Sequence, residues 1–328
     1  MPRPGRVRRR RNGRLRRGCG QLFPDRDRRL PGGPVDPGPG GAGYLTSTTT
    51  LALREPPGEL AVIGASAVGL ELGQLFMRLG SRVTFLKPAP RILPQQEPEV
   101  STAMEAVLEE KGATVLTGAA LTAVGREGDR RIVRFRHRDE EHTLAVDQVL
   151  AATGRRPNTL GMGLDRAGVE VTPTGAVAVD DQLRTTNPRV LAAGDVTGHP
   201  QFVYVAAHEG NLAARNALEG TDLAVDFRSL PRVTFTSPQV ASAGLTDEQA
   251  RTGGIGCACR VLPLAAEPRA LVNRDPRGLV KMVAERQGGR IVGATVVADG
   301  PATSSWLPPM RSSSGSPPTR LPPPGPRT

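Results

Sequence analysis

The sequence predicts an α/β fold with a parallel sheet, followed by an antiparallel α+β segment, and three observations carry that prediction. The stretch ELAVIGASAVGLELGQLFMRLGSRVTFLK, residues 59–87, reads as strand, glycine turn, helix and strand. A second cluster, TTNPRVLAAGDVTGHPQFVYVAAHEGNLAARNAL, residues 185–218, reads as a short strand, a Gly194–Asp195 turn and a long helix. Beyond Phe227 the residues alternate apolar and polar with period two, the pattern of antiparallel strands.

The first stretch is the most specific. Leu60 to Ile63 form an apolar run that stops at Gly64, which predicts a parallel strand buried on both faces. Val68, Leu70, Leu72, Leu75, Phe76 and Leu79 recur at helical spacing, and Gly80 closes that helix. Val83 to Leu86 form the next strand. Between them Gly64, Ala65, Ser66 and Gly69 make a G-x-S-x-x-G variant of the dinucleotide-binding turn, in the strand–turn–helix context such a motif requires. Gly64 permits the sharp turn, Ser66 is small enough for close approach, and Gly69 lets the helix pack on the strand. The N–H groups that open the helix then face a pyrophosphate. An acid commonly ends the second strand, where it accepts hydrogen bonds from an NAD ribose. Here Lys87 stands at that place and Arg91 four residues on. Two cations there select the 2′-phosphate of NADPH; the alternative is that both are solvated surface charges.

Further along, residues 99–111 predict an amphipathic helix and ATVLTG a strand returning to the sheet. RIVRFRH and EHTLAVDQVLAATG alternate about the charged turn RHRDEE, as the arms of an antiparallel ribbon do. Val190 to Ala193 read as a short buried strand with Asp195 just beyond its end. A carboxylate there suits a cofactor hydroxyl in the crevice of such a sheet, or is simply a turn aspartate. His199, His208 and Glu209 lack the spacing of a metal or general-base set, so no metal site is assigned to them. In the last segment RVTFTSPQVASAGLTDEQA predicts strand, turn and a helix opened by Thr246 with Glu248 nearby. CRVLPL, GLVKMVAE and RIVGATVVA predict three further strands.

The formal charge of +11 suggests nucleic acid until it is located. Residues 1–43 carry twelve arginines against three aspartates, and residues 301–328 carry three arginines and no acid. The part between is within one unit of neutral, so no nucleic-acid role is expected. Both ends are also rich in Pro, Gly and Ser without apolar periodicity, and are expected to be disordered. A basic arm, a transit peptide and DNA read out of frame all produce such text, and the third fits best. Of three cysteines, Cys257 and Cys259 stand two apart on an expected strand, a poor geometry for a mutual disulfide. They could hold a soft metal, but a structural or incidental role is expected. No run of 18 apolar residues and no signal peptide is present, so neither a membrane span nor export is expected and the location is read as cytoplasmic.

The segments VIGASAVGLELGQLFMRLG, AATGRRPN, TTNPRVLAAGDVTG and VTFTSPQVASAGLT, in that order, resemble the FAD-dependent pyridine nucleotide–disulfide reductases. YLTSTTTLAL, GHPQFVYVAAHEGNLAARNAL and PRALVNRDPRGLVKMVAE look most like the mercury-reducing branch of that family. The resemblance covers about residues 44–300 and implies a Rossmann-like NADPH-binding domain at 44–152 and the remnant of an FAD-binding domain at 153–227. It also implies a truncated α+β dimerisation domain at 228–300, hence a homodimer. The resemblance places Glu71 near flavin and nicotinamide, Gly154 in the turn of AATGRRPN and Gly194 in the turn before Asp195. Asp195 would sit on the FAD ribityl chain, and Gln201, Phe202 and Val203 beside the isoalloxazine. It implies electron flow from NADPH through FAD and a cysteine pair to Hg(II). That pair, the glycine turn for the FAD adenosine diphosphate and a terminal cysteine pair are not found in the sequence. The expectation is therefore a truncated or frame-shifted member, inactive on mercury as it stands; the alternatives are another NADPH-dependent disulfide reductase, of the glutathione reductase or lipoamide dehydrogenase type, or a non-catalytic NADPH-binding and dimerising fragment.

Overall fold

A computed structural model describes residues 43–299; the basic leader with Cys19 and the proline-rich tail lie outside the described residues, Gly43 excepted. The described residues form two compact units, one of 43–154 with 226–299 and one of 155–225.

The larger unit opens with a single helical turn, α1 (Ser47–Thr50), closed by a capping box between Thr46 and Thr49. Then come β1 (Glu59–Ile63), α2 (Ala67–Arg78), β2 (Arg82–Lys87), α3 (Pro98–Glu110) and β3 (Thr114–Thr117). β4 (Ala120–Glu127), β5 (Arg130–His137) and β6 (Glu140–Val146) follow, and β7 (Gln148–Ala151) completes this part. β3, β2, β1 and β7 lie in that order in one parallel sheet. Alternate residues of β1 serve opposite faces. Leu60 and Val62 join Leu70, Phe76, Met104 and Leu108 under α2 and α3. Ala61 and Ile63 join Leu121, Val133, Phe135 and Val146 of the antiparallel β4–β5–β6 sheet. A strand covered on both faces needs an unbroken apolar run, which is what the sequence carries. The sequence-based ribbon is corrected in one respect. EHTLAVDQVLA is two strands, broken at Asp147, and its second half leaves the ribbon to pair in parallel with β1. Both halves look alike in period, and only the available partner separates them. The apolar spacing of α2 is also looser than it reads: Leu75 and Leu79 are exposed, while Gly69, Gly73 and Gln74 are buried.

The smaller unit holds one long helix, α4 (Val203–Glu219), preceded by a single 3₁₀ turn at Asp195–Thr197. Val169, Val177 and Val196 form its small core. The buried strand expected at Val190–Ala193 does not form. Leu191 makes one antiparallel bridge to Arg184, and the four residues are only half-buried. A parallel strand requires backbone partners along its length, and among the described residues this segment has that single bridge.

The chain then returns to the larger unit. There β8 (Arg232–Thr234), β9 (Gln239–Gly244), β10 (Cys257–Pro263), β11 (Leu279–Glu285) and β12 (Ile291–Ala298) make one antiparallel sheet ordered β10-β11-β12-β9-β8. Two short helices, α5 (Asp247–Thr252) and α6 (Pro268–Val272), flank β10. Thr246 caps α5 as expected, but its capping-box partner is Gln249, three residues on, and not Glu248. Val240, Leu279 and Val297 share the core beneath α2 and α3, so this sheet is packed onto the parallel one. No helix of the described residues is long and apolar enough to cross a membrane.

Candidate functional site

The turn after β1 is fixed by backbone crowding. Gly64 has φ +104°, and a Cβ there would stand 2.3 Å from the carbonyl oxygen of Ala152. A Cβ at Gly69 would stand 2.1 Å from the carbonyl oxygen of Gly64. The start of α2 therefore lies against the turn itself, as the sequence predicts. Ala65 is buried, and its carbonyl accepts the Leu93 N–H at 2.9 Å. Ser66 is the exposed N-cap of α2 and makes no side-chain capping bond, so its hydroxyl does not occupy the N–H groups of the first turn. Those groups, at the positive end of the helix dipole, suit an anion such as pyrophosphate. Gly73 was not singled out in the sequence. A Cβ there would strike the Phe85 ring at 2.4 Å, so it lets α2 lie close on β2.

Lys87 ends β2 as predicted. Its side chain is half-buried, and that burial alone draws its pKa below the ordinary lysine value. Among the described residues it forms no ion pair. Arg91 is differently placed. Its Nη1 donates to the Gln96 carbonyl at 2.8 Å and its Nη2 to the Pro94 carbonyl at 3.0 Å. The guanidinium thus braces the loop after β2 in this structure. Glu71, on α2, accepts the Phe235 N–H at 2.7 Å through Oε1, which ties the helix to the segment after β8. Gly154 is exposed with φ +136° and open space around it, so only its backbone angle calls for glycine.

In the smaller unit Gly194, with φ +82°, donates its N–H to Glu209 Oε2 at 2.6 Å. Glu209 is fully buried, and its Oε1 lies 2.7 Å from His199 Nδ1. The pair therefore holds the turn in front of Asp195. His208 is exposed and is not part of this pair. The sequence offered no signal for the His199–Glu209 bond beyond two polar residues ten apart. Asp195 is half-buried with Oδ2 3.5 Å from Arg155 Nη1, which also reaches the Gln201 carbonyl at 3.4 Å. Phe202 caps α4 and stacks on Tyr204 with ring centroids 5.2 Å apart, and Val203 opens the helix almost fully exposed. This unit thus presents one half-buried carboxylate, the N-terminus of α4 and a stacked aromatic pair.

These features fit a dinucleotide in the larger unit: two glycines whose Cβ would strike backbone carbonyls and which thus let strand, turn and helix close up, a helix start without a capping hydroxyl, and a lysine with no ion pair among the described residues. Comparison with known proteins agrees. A family profile described as pyridine nucleotide-disulphide oxidoreductase matches residues 26–210, and the dimerisation domain of the same family matches residues 230–304. Over 257 residues the chain is 49% identical to a mercuric reductase of Streptomyces lividans, covering 78% of this chain and 54% of that protein. A mercuric reductase of Bacillus cereus is 46% identical over 81% of this chain and 42% of its own length. The chain thus spans about half the length of the curated relatives it matches. Among solved structures, an HOCl-induced flavoprotein disulfide reductase of Escherichia coli superposes with a TM-score of 0.74 at 30% identity, over 86% of this chain and 62% of that one. The turn at Gly64, the sheet that carries it and these matches agree: the chain belongs to the pyridine nucleotide-disulphide oxidoreductases, a family of enzymes whose mercuric reductase members use FAD and NADPH.

Proposed function

We propose that the larger unit binds NADPH at the turn between β1 and α2, and that the chain is part of a flavin-dependent reductase of the mercuric reductase type with Hg(II) as its substrate. The observation that carries this reading is the pairing of the Gly64–Gly69 turn with a half-buried Lys87, without an ion pair among the described residues, at the end of the adjacent strand. The N–H groups opening α2 would hold the pyrophosphate, with Ala65 and Ser66 lining its approach. Lys87 would meet the 2′-phosphate, and Arg91 would serve first by shaping the loop beside it. Glu71 would face the flavin and nicotinamide. In the smaller unit Asp195, behind the Gly194 turn, would hold the FAD ribityl chain, and Gln201, Phe202 and Val203 would lie beside its ring; Gly154 would be a cofactor-binding turn of the larger unit. When bound, the flavin supplies hydride acceptance from NADPH and onward electron transfer. The protein's part is to bind and orient each cofactor. Residues 44–152, 153–227 and 228–300 would act as nucleotide, flavin and dimerisation parts, the last joining two copies.

A titration of the purified chain by nucleotide fluorescence tests the binding step, with NADPH expected to bind more tightly than NADH. Equal affinity for the two overturns the assignment to Lys87. With these 328 residues alone, adding FAD and Hg(II) is expected to give no sustained NADPH oxidation, since no dithiol relay is among the proposed site residues. Turnover beyond stoichiometry contradicts that. The likeness to a flavoprotein disulfide reductase favours a second reading, a disulfide substrate in place of mercury. Activity of the full-length enzyme on glutathione disulfide and not on Hg(II) would select it.

A further inference from the structure

The cysteines of β10 lie outside the nucleotide and flavin residues, and the fold brings a third donor to them. Cys257 and Cys259 stand two apart on β10, an edge strand, so both side chains leave the same face while Ala258 leaves the other. Asp247, the first residue of α5, stands over that face. Its N–H is held by Glu97 Oε1 at 2.8 Å, and its carboxylate by the Arg251 guanidinium at 3.1 Å. The Cys257 thiol donates to Asp247 Oδ1 at 3.3 Å. The two sulfurs and a carboxylate oxygen all lie within 4.8 Å of one another, and all three residues are half-buried.

We propose that Cys257, Cys259 and Asp247 form a binding site for one soft, thiophilic metal ion, held by two thiolates with the carboxylate as a third donor. Metal–thiolate bonds of about 2.3 Å set an upper limit of about 4.6 Å between two sulfurs on one ion, which this spacing meets with little adjustment. Paired thiolates select soft ions such as cadmium, mercury(II) or copper(I) over the hard cations that carboxylates alone prefer. Binding breaks two S–H bonds, forms two metal–sulfur bonds and releases two protons, with no change of oxidation state. The inference is independent of the nucleotide reading.

The test uses the full chain with Cys19→Ser, so that Cys257 and Cys259 are its remaining thiols. Cadmium(II) is titrated in by equilibrium dialysis while thiolate-to-metal charge-transfer absorption is recorded. One cadmium per chain is expected, with charge transfer from two thiolates. Cys257→Ser and Cys259→Ser each remove a ligand and should weaken it by at least the ~100-fold that loss of a ligand's supporting partner can cost, and Asp247→Asn by about 10-fold. Unchanged affinity in Cys257→Ser/Cys259→Ser overturns the site. Should a serine variant fail to fold, alkylation of the Cys19→Ser chain decides: cadmium should shield Cys257 and Cys259 together, and alkylation of both at the metal-free rate refutes the proposal.

Discussion

Two lysines of the larger unit sit in opposite circumstances. Lys87 ends β2 half-buried with no carboxylate beside it among the described residues, and desolvation lowers its pKa. Lys281, in the middle of β11, is 3% exposed and lies 3.0 Å from Glu97 and 2.9 Å from Glu99 at the start of α3. Burial alone would lower its pKa as well, but the hydrogen bonds it donates to Glu99 and Glu97 carry it above the ordinary value. Glu97 is itself buried and also holds the Asp247 N–H, so Lys281 fastens the antiparallel sheet to α3 through a complete network. A buried charge matched within the fold is a structural clasp. A partly buried charge without a match is the kind that a ligand completes, which is why Lys87 carries the functional reading.

The largest effect should come from breaking the clasp. Lys281→Ala leaves the Glu97 carboxylate buried beside α3 without its cation, and one-sided removal of a buried pair costs about 3–5 kcal/mol. Urea unfolding should show that loss, and a stability unchanged from the parent would mean the network is not formed in solution. Gly69→Ala comes next. Its Cβ meets the backbone of Gly64 and not a movable side chain, so overpacking of about 1–3 kcal/mol is expected together with loss of NADPH binding. Full NADPH affinity in this variant would put the pyrophosphate elsewhere. Lys87→Glu should leave unfolding nearly unchanged while weakening NADPH by about 10–100-fold relative to NADH, as expected for loss of a charge-assisted hydrogen bond. If K87E lowered stability instead, Lys87 would be a second clasp.

The smallest effects separate the lysines by pH. Burial raises the Glu99 pKa and Lys281 lowers it, with a net fall below 4.5. Its contribution is thus present above 4.5 and lost as pH falls through the lower folded value. Lys281, raised above 10.5, contributes fully below 10.5 and loses its contribution as pH climbs through the higher folded value. Lys87 moves the other way, so its ammonium discharges below 10.5. On raising the pH, NADPH preference should fade before the clasp weakens. Parallel titrations of binding and stability check that order, and its reversal would exchange the roles given to the two lysines.

Much of the candidate site was legible because it is local. Gly64, Ser66, Gly69 and Lys87 fall within one strand–turn–helix–strand unit, where chain connectivity alone places the turn at the helix start. The strands of the last segment were legible for the same reason, as period-two alternation needs no knowledge of the partner. The features that were not legible join distant residues. Lys281 and Glu97 are separated by 184 positions, Glu71 and Phe235 by 164, and Glu209 and His199 meet only because α4 folds back on its own turn. The strand expected at Val190–Ala193 shows the converse. An apolar run states a capacity to pair, and pairing waits on a neighbour.

By itself the sequence determined the turn, because the crowding of Gly69 against Gly64 and the charge at Lys87 are properties of a continuous stretch, whereas Gly64 is crowded by Ala152, which only the paired β7 brings there. It also determined which segments alternate and which turn. Tertiary structure alone decided that β7 leaves the ribbon for the parallel sheet, that Glu97 and Glu99 converge on Lys281, and that Asp247 meets Cys257 and Cys259. Hydrogen bonding and charge act over a few ångströms, and only the folded chain brings such residues within that range.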